Sequence, residues 1–428
     1  MASDSSLQTT CESLWQRVRD TAYTCDAATL DRAAGCLAVG LADMVVSART
    51  VKHRMAAEAL AGAPGVCTVS GLSGRADLSG AVVANAYLMH ARLTDDSYQV
   101  AAHPGLAVVP VALAAAERVM ARHGQTIAAD RLLRAIVGGY ECGCRLADQL
   151  LPEVSRRGWR VTSVIAPLAA AATMALALDL PDTDACAALG LASSATGGPL
   201  GVVATDGDDW RLQPALAVQA GMSAAVAAAA GLRSGAGALG GPQGLYALFG
   251  GTSEAAETWP DREPAVHHVT FKRHPVAMYG QSIFEAVRAA PQLTGQLERI
   301  VVSVAPFAAA YAGRNASTDS IASVPGIALA AARAFHPGLV SDAGRPPVDV
   351  LDDPDLPDLA AHVALELADG RRIELAGDGD TSGWKPQDFR RHCADLLGDT
   401  GVQLYEAAAA LPRTASPRGL LQSWRAAR

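Results

Sequence analysis

A short polar stretch, LTDDSYQVAAHPG at residues 93 to 105, interrupts a chain that is otherwise rich in alanine and other apolar residues. It places the adjacent carboxylates Asp95 and Asp96, the Ser97 hydroxyl and the Tyr98 phenol shortly before the imidazole of His103. An imidazole accepts and donates protons near neutral pH, and a neighbouring carboxylate would hold its tautomer and raise its pKa. This combination is typical of an acid–base site. The structural alternative is a turn capped by Asp96 or Ser97, with His103 as a packed core side chain.

The elements around this stretch decide where it can lie. An apolar helical pattern at 78 to 92 precedes it, and Pro104 stands at an early position of the next helical pattern, 106 to 122. The polar residues therefore occupy an ordered loop between two buried helices. Polar groups in such a place must be satisfied internally or face a cavity, because unpaired buried polar groups are costly.

Helical periodicity dominates the chain before residue 265, and no segment there alternates like a half-buried strand. We predict a large all-α domain over 1–265. Its helices are expected at 26 to 48, 78 to 92, 106 to 122, 128 to 150, 163 to 178, 182 to 195 and 214 to 232.

The sequence pattern changes from helical to strand-like after a glycine-rich connection. ERIVVSVAP at 298 to 306 is a β-branched run, and VALELADGRRIEL at 363 to 375 alternates on both sides of an Asp-Gly turn. Helical patterns at 280 to 292 and 321 to 336 accompany these strands. We predict a smaller α+β lid domain over 266–398, with a three-stranded sheet covered by helices on one face. A C-terminal helical segment, 399–428, is expected to return to the first domain.

Composition limits the function classes. The net charge of -8 opposes nucleic-acid binding, which requires a basic surface. Only 18% of the residues are charged, which favours a homodimer that buries part of the surface. The N-terminus lacks the pattern of an export signal, and the apolar runs are read as too short to span a bilayer, so we predict a cytoplasmic protein without a membrane partner. The eight cysteines should then stay reduced.

Nucleotide and metal motifs are weak. Gly235, Gly237 and Gly240 form a formal dinucleotide fingerprint, but an alanine-rich helix precedes them where the motif needs a strand. We interpret this segment as a connection between domains. No cysteine or histidine pattern has metal-ligand spacing. We therefore expect no cofactor and no metal.

The order of several motifs resembles the MmgE/PrpD family, which includes dehydratases, a decarboxylase and an epimerase of small carboxylic acids. The motifs are VANAYLMHARLTDDS…HPG, IVGGYECGCRL, RRGWRVTSV, RLQPALAVQAGMSAAVAAAAGL, FKRHP and SVPGIALA, over most of residues 30 to 335. The DDS…HPG element followed by GYE is the most specific part. The resemblance implies a helical domain with an α+β lid, a homodimer, and cofactor-free chemistry in the cleft between the domains.

The resemblance carries individual roles onto this chain. His103, Lys272, Asp95 and Asp96 match catalytic positions of the family, and Ser97 stands where threonine is usual. Five positions depart from the family's pattern: Leu93, Arg160, Trp210, Gln281 and Gly326 stand where aspartate, histidine, lysine, histidine and tyrosine are usual. The candidate substrate-binding residues are Ser97, Arg160, Arg211, Trp210, Gln281 and Tyr279.

These observations favour a dehydratase-type lyase that acts on a β-hydroxy carboxylic acid. A base takes a proton beside a carboxylate, and fixed cations such as Lys272, Arg160 and Arg211 stabilise the charge that develops. The loss of family cations and the presence of Trp210 suggest a substrate with fewer carboxylates and more apolar bulk, such as an alkylcitrate-like intermediate of secondary metabolism. Decarboxylation or epimerisation of a related acid, and a non-catalytic relative that only binds a ligand, are the alternatives. A distance between His103 and Lys272 above roughly 10 Å would favour the binder.

Overall fold

The computed structural model describes residues 4–252, 263–313, 316–340, 345–379 and 384–427. Helices make up most of this part of the chain, and strands are few and short, so the protein is mainly α with a smaller α+β portion. The α-helices are α1 Asp4–Thr24, α2 Ala27–Ala48, α3 Val51–Ala61, α4 Leu78–His90, α5 Gly105–His123, α6 Ala129–Leu150, α7 Glu153–Arg156, α8 Val161–Leu178, α9 Asp182–Ser193, α10 Asp209–Ala229, α11 Gln281–Ala289, α12 Pro306–Ala312, α13 Val324–Phe335, α14 Pro386–Leu397, α15 Asp399–Ala409 and α16 Arg418–Ala426.

The strands form three separate sheets. They are β1 Pro64–Thr68, β2 Arg75–Ala76, β3 Asp96–Ser97, β4 Thr270–Phe271, β5 Leu297–Val304, β6 Val348–Asp352, β7 Ala361–Leu367 and β8 Arg372–Gly377. The largest sheet has the order β6-β5-β7-β8, in which β5 pairs with β6 in parallel and the other pairs are antiparallel. The expected hairpin is present, with β7 and β8 joined by a turn at Gly370.

The prediction of a three-stranded sheet is wrong by one strand. The additional strand, β6, has the sequence VDVLD and lies at the sheet edge with half-buried or exposed side chains. Aspartate is depleted in strands, and the edge position supplies no continuous apolar face, so the local sequence gave little strand signal. The prediction that no strand precedes residue 265 is also wrong, because β1, β2 and β3 lie there.

Helix α8 forms the centre of the helical part and packs against α5, α6, α9 and α10. Its alanine-rich sequence lets neighbouring helices approach closely. At Gly221 of α10, for example, an added Cβ would lie 2.0 Å from the Pro167 carbonyl oxygen. Close packing of small side chains along several helices therefore builds this core.

The expectation that the apolar runs are too short to cross a bilayer needs correction. Helices α8 and α10 are both long and apolar enough to do so by length and composition. In the folded chain, however, 94% of the most apolar 18-residue segment of α8 is buried inside the protein, against 44% of the corresponding segment of α10. The apolar character of α8 is thus explained by its central position in the core.

Two features connect the predicted domains. Strand β3 pairs with β4 through Asp96 opposite Phe271 and Ser97 opposite Thr270, which joins the polar loop to the segment that carries Lys272. Helices α14 and α15 pack against α2, so the chain returns to the helical part after the large sheet. The domain boundaries at 265 and 398 stay a prediction.

Candidate functional site

The polar loop between α4 and α5 is folded tightly against itself. The Tyr98 amide donates to the Ala102 carbonyl at 2.7 Å, and Asp96 Oδ1 accepts from the Gly105 amide at 3.1 Å at the start of α5. Gly105 is required here, because an added Cβ would lie 2.6 Å from both Asp96 carboxyl oxygens. Residues 93 to 98 and 101 to 105 are all buried. The loop is therefore an ordered part of the interior.

Lys272, directly after β4, inserts its ammonium group into this loop. The Lys272 Nζ donates to the Asp95 main-chain oxygen at 2.7 Å, to Asp95 Oδ1 at 2.8 Å and to the Asp96 main-chain oxygen at 3.1 Å. Both side chains of the ion pair are completely buried. A buried ammonium of this kind is stable only with such full pairing, so Lys272 is no longer consistent with a surface lysine.

His103 lies beside Lys272, with 3.4 Å between Nδ1 of the imidazole and Nζ of the lysine. The same Nδ1 is 2.8 Å from the Asp96 main-chain oxygen. A carbonyl oxygen can only accept, so Nδ1 carries the proton and donates it to this carbonyl. Nε2 is then the basic nitrogen, and it has no hydrogen-bond partner in the described part of the chain. The ring is 7% exposed.

A chain of buried hydrogen bonds also leads from Asp95 through His90 to Arg160. Asp95 Oδ2 accepts from His90 Nδ1 at 2.8 Å, and His90 Nε2 lies 2.7 Å from the Arg160 guanidinium, which can only donate. Arg160 also donates to the Trp210 carbonyl, while its Nε is buried without a hydrogen-bond partner. His90 is thereby fixed as the Nδ1-protonated tautomer between a cation and an anion.

Burial and these charges shift the pKa values of His103 and Asp95. Burial, and then the charge of Lys272, hold the pKa of His103 well below its ordinary value, so the ring is neutral. Asp95 acts to raise the pKa of His103, but burial and Lys272 outweigh it, so the expectation of a raised pKa is wrong. Although burial opposes it, Lys272 and then His90 hold the pKa of Asp95 far below the usual carboxyl range. Asp95 is therefore ionised.

The second aspartate behaves in the opposite way. Burial and the neighbouring charge of Asp95 raise the pKa of Asp96 to about 7. Its Oδ1 caps α5, and its Oδ2 is buried near the Tyr140 hydroxyl without a regular hydrogen bond in the described structure. At neutral pH Asp95 is thus ionised, whereas the adjacent Asp96 remains partly protonated.

Three predicted substrate-binding residues surround this cluster but have partners of their own. The Ser97 hydroxyl is 3.4 Å from the Ala102 carbonyl and fully buried. Trp210 is buried, with its ring edge-on to His90 at a centroid distance of 5.5 Å. Arg211 stacks on Trp210 at 3.8 Å and pairs with Asp208 at 2.8 Å. Arg211 therefore already has an ionic partner, which it shares with Lys52.

Gln281 and Tyr279 hold the segment that follows Lys272. Gln281 Oε1 accepts from the amides of Arg273 and His274, both at 3.0 Å, and its Nε2 donates to two main-chain carbonyls. Every hydrogen-bonding position of this amide is used, so in this conformation Gln281 positions the backbone and has none free for a substrate. The Tyr279 hydroxyl donates to the Ala322 carbonyl.

A partly open cavity of about 850 Å³ adjoins the cluster. Thr270, which pairs with Ser97 in the short ladder, lines it. Tyr311 of α12 also lines it, and the Tyr311 hydroxyl faces the Arg160 guanidinium behind the wall. The cavity thus reaches the neighbourhood of the cluster through Thr270 and Tyr311, while Lys272, His103 and Arg160 lie behind its lining.

Sequence reasoning missed three residues of the site: His90, Asp43 and Tyr311. His90 lies in a quoted motif, five residues before the acidic pair, and that spacing could have drawn attention to it. Asp43 of α2 is completely buried, neither of its oxygens makes a regular hydrogen bond, and burial raises its pKa well above the ordinary value. A single aspartate within an apolar helix gave no pattern that points to the site.

Comparison with known proteins agrees with the resemblance. A family model described as the MmgE/PrpD N-terminal domain matches residues 7–258, which is more than half of the 428-residue chain. A search of curated proteins found no match. Among the described residues, no group of three or more histidine, cysteine, aspartate or glutamate side chains is arranged to hold a metal ion. The chain belongs to the MmgE/PrpD family, which generally contains lyases and dehydratases.

Proposed function

We propose that this protein is a cofactor-independent lyase, a dehydratase that removes water from a β-hydroxy carboxylic acid. The observation that carries the proposal is the pairing of a neutral His103, whose free nitrogen is Nε2, with the ammonium of Lys272 at 3.4 Å. Base and cation then lie close enough to act on one substrate. Family membership supports the reaction class.

The difficulty of the reaction is the negative charge that develops on a carbon beside a carboxylate. His103 Nε2 takes the proton from this carbon, and the nearby charges of Lys272 and Arg160 lower the energy of the resulting anion. The imidazolium then returns the proton to the hydroxyl as the carbon–oxygen bond breaks, so that water leaves. The proton and the hydroxyl leave from adjacent carbons, so one side chain within reach of both can serve first as base and then as acid.

Decarboxylation or epimerisation would use the same base and cations, so these remain the alternatives within the enzyme class. A relative that only binds a ligand is the alternative outside it. The close approach of His103 and Lys272 favours an enzyme, because a binding site does not require a free basic nitrogen beside a cation. We also propose that the protein acts in the cytoplasm as a homodimer on a small carboxylate, without a nucleic-acid or membrane partner.

The test is turnover of β-hydroxy acids by the purified protein, followed by the ultraviolet absorbance of the unsaturated product. The variant His103→Asn should keep the fold and lose at least about a hundredfold in turnover, the lower range for removal of an acid–base group. Addition of EDTA should leave the rate unchanged. A folded His103→Asn protein with full turnover would contradict the proposal.

Side reactions separate the alternatives in the same samples. Release of carbon dioxide would identify a decarboxylase, and solvent deuterium incorporation with inversion but without loss of water would identify an epimerase. Binding of acids without any of these changes would identify the non-catalytic relative.

A further inference from the structure

The cavity beside the cluster is large and mainly apolar. Its volume of about 850 Å³ lies near the upper end of the range for pockets that enclose drug-sized ligands. Six apolar side chains contribute to its wall: Val100, Leu151, Leu200, Phe307, Ala310 and Leu359. The charged lining residues Arg156, His268 and Asp358 are exposed, which places them at the mouth of the cavity. A small, highly charged acid would leave most of this wall without contacts.

Behind the cavity wall, Arg160 is a cation without an ionic partner among the described residues. Lys272 pairs with Asp95, and Arg211 pairs with Asp208, a carboxylate that Lys52 also contacts. Arg160, in contrast, donates to two neutral acceptors, the Trp210 carbonyl and His90. Its buried Nε has no hydrogen-bond partner within the described residues. The site is therefore short of one negative charge at Arg160.

Tyr311 connects this cation to the cavity. Its ring lines the cavity and stacks on Phe307 at a centroid distance of 5.3 Å, while its hydroxyl faces Arg160. A carboxylate at this end of the cavity would meet the Tyr311 hydroxyl and the charge of Arg160. The remainder of the molecule would then extend along the apolar wall.

We propose that the substrate is a monocarboxylate with an extended apolar body, whose carboxylate is held at the Tyr311–Arg160 end of the cavity. The proposal rests on the function proposed above and specifies its substrate class. It follows from the buried Arg160, which has no ionic partner among the described residues, and from the apolar wall, which together match one charge and a long hydrocarbon chain.

Binding to the intact protein provides the first test, with calorimetry on butyrate, octanoate and dodecanoate and with tricarballylate as the polycarboxylate. Affinity should increase with chain length, by up to about fourfold for each methylene that is buried. Each straight-chain acid of eight or more carbons should bind more tightly than tricarballylate. Equal affinity along the series, or tighter binding of tricarballylate, would overturn the proposal.

Two variants locate the binding mode. Ala310→Trp fills the cavity from α12 and should abolish the dependence on chain length, whereas Ala289→Trp, an exposed position on α11 that does not line the cavity, should preserve it. Tyr311→Phe removes only the hydroxyl and should reduce the preference for octanoate over octanamide. Retention of the chain-length dependence in Ala310→Trp would contradict the assignment of this cavity.

Turnover of 3-hydroxybutyrate, 3-hydroxyoctanoate and 3-hydroxydodecanoate distinguishes failure of this proposal from failure of the proposed function. Chain-length-dependent binding without turnover would keep the substrate class and reject the lyase. Dehydration of a tricarboxylate, without binding of the long-chain acids, would keep the lyase and reject the substrate class.

Discussion

At the scale of single residues, Lys272 affects both the charge balance and the proton affinity of the site. Its charge is the second cause, after burial, that lowers the pKa of His103. Because the base must be unprotonated, this depression preserves activity below pH 6.5, the ordinary histidine value. Lys272→Met removes the charge, so the pKa of His103 rises and activity is lost at a higher pH as the solution is acidified.

The measurement is the pH dependence of kcat/KM for wild type and Lys272→Met. We expect Lys272→Met to lower kcat/KM by an amount that corresponds to about 2 to 4 kcal/mol of lost transition-state stabilisation. The acidic limb of its pH profile should move to higher pH. Lys385→Met, which changes an exposed lysine at the start of α14, is the control and should change neither quantity. Unchanged turnover and an unchanged acidic limb in Lys272→Met would remove Lys272 from the mechanism.

His90 gives a second prediction at the residue scale. His90→Phe removes one of the two acceptors of the Arg160 guanidinium and one of the donors to Asp95, and both partners are buried. Each lost partner costs about 1 to 3 kcal/mol, so the free energy of unfolding should fall by about 2 kcal/mol or more in urea titrations.

The matched control is His392→Phe on α14. His392 is also buried, and its Nε2 has no hydrogen-bond partner, so replacement by a ring of similar shape should cost less. Equal losses in the two variants would show that the effect of His90→Phe is due to packing and not to the chain of contacts.

The site could be predicted from the sequence only where its residues are close together in the chain or belong to a motif. Asp95, Asp96 and His103 share one loop. Lys272 lies 169 positions after His103, and only its motif indicated that it belongs to the same site. In the structure all four residues do lie together. Their catalytic roles stay predictions. The displaced pKa of His103 was not predictable, because it depends on burial in the folded chain and on the position of an ammonium from a distant segment.

At the scale of elements, helices with a clear apolar period were predicted close to their observed ends. The pattern at 26 to 48 corresponds to α2 Ala27–Ala48, and the pattern at 128 to 150 corresponds to α6 Ala129–Leu150. Helices α1 and α3 were not predicted: α1 is largely polar, α3 is rich in alanine but buries only His53 and Ala57, and the stability of both depends on tertiary packing. The two-residue strands β3 and β4 have too little sequence to be recognised, although they align the site.

The junction between the polar loop and α5 leads to a prediction on pH and stability. Asp96 caps α5 while its pKa is raised to about 7, against about 3.9 in an unfolded chain. Between these values the folded protein keeps the proton that the unfolded chain releases. The contribution of Asp96 to stability is therefore complete below about pH 4 and declines as the pH rises to about 7.

Asp96→Asn tests this, because the amide oxygen can still accept from the Gly105 amide but the side chain cannot ionise. The stability of the variant relative to wild type should increase by up to about 1.4 kcal/mol per pH unit between pH 4 and 7. Urea midpoints of both proteins across this range provide the measurement, and the buried histidines affect both alike. A constant difference between the two proteins would show that Asp96 has no raised pKa.

At the scale of the whole molecule, α10 carries an apolar face that the described chain covers only in part. This helix is apolar enough to cross a membrane, yet only 44% of its most apolar 18-residue segment is buried in the single chain. Leu216 on α10 is 47% exposed, and α3, which packs on α4 as α10 does, exposes Val51 and Met55. An apolar helix face of this kind is stabilised when another protein surface covers it.

We therefore predict a homodimer whose interface includes the exposed face of α10 and buries more than roughly 2,000 Å² in total. Sedimentation of the wild-type protein at micromolar concentration should show a dimer, since obligate interfaces of this size dissociate only at much lower concentration. Leu216→Glu places a charge in the interface, where its desolvation is costly, and should shift the protein toward monomer. Leu351→Glu, at an equally exposed apolar position on edge strand β6, should remain dimeric. A wild-type monomer would contradict the dimer itself, and a dimeric Leu216→Glu protein would place the interface on another face.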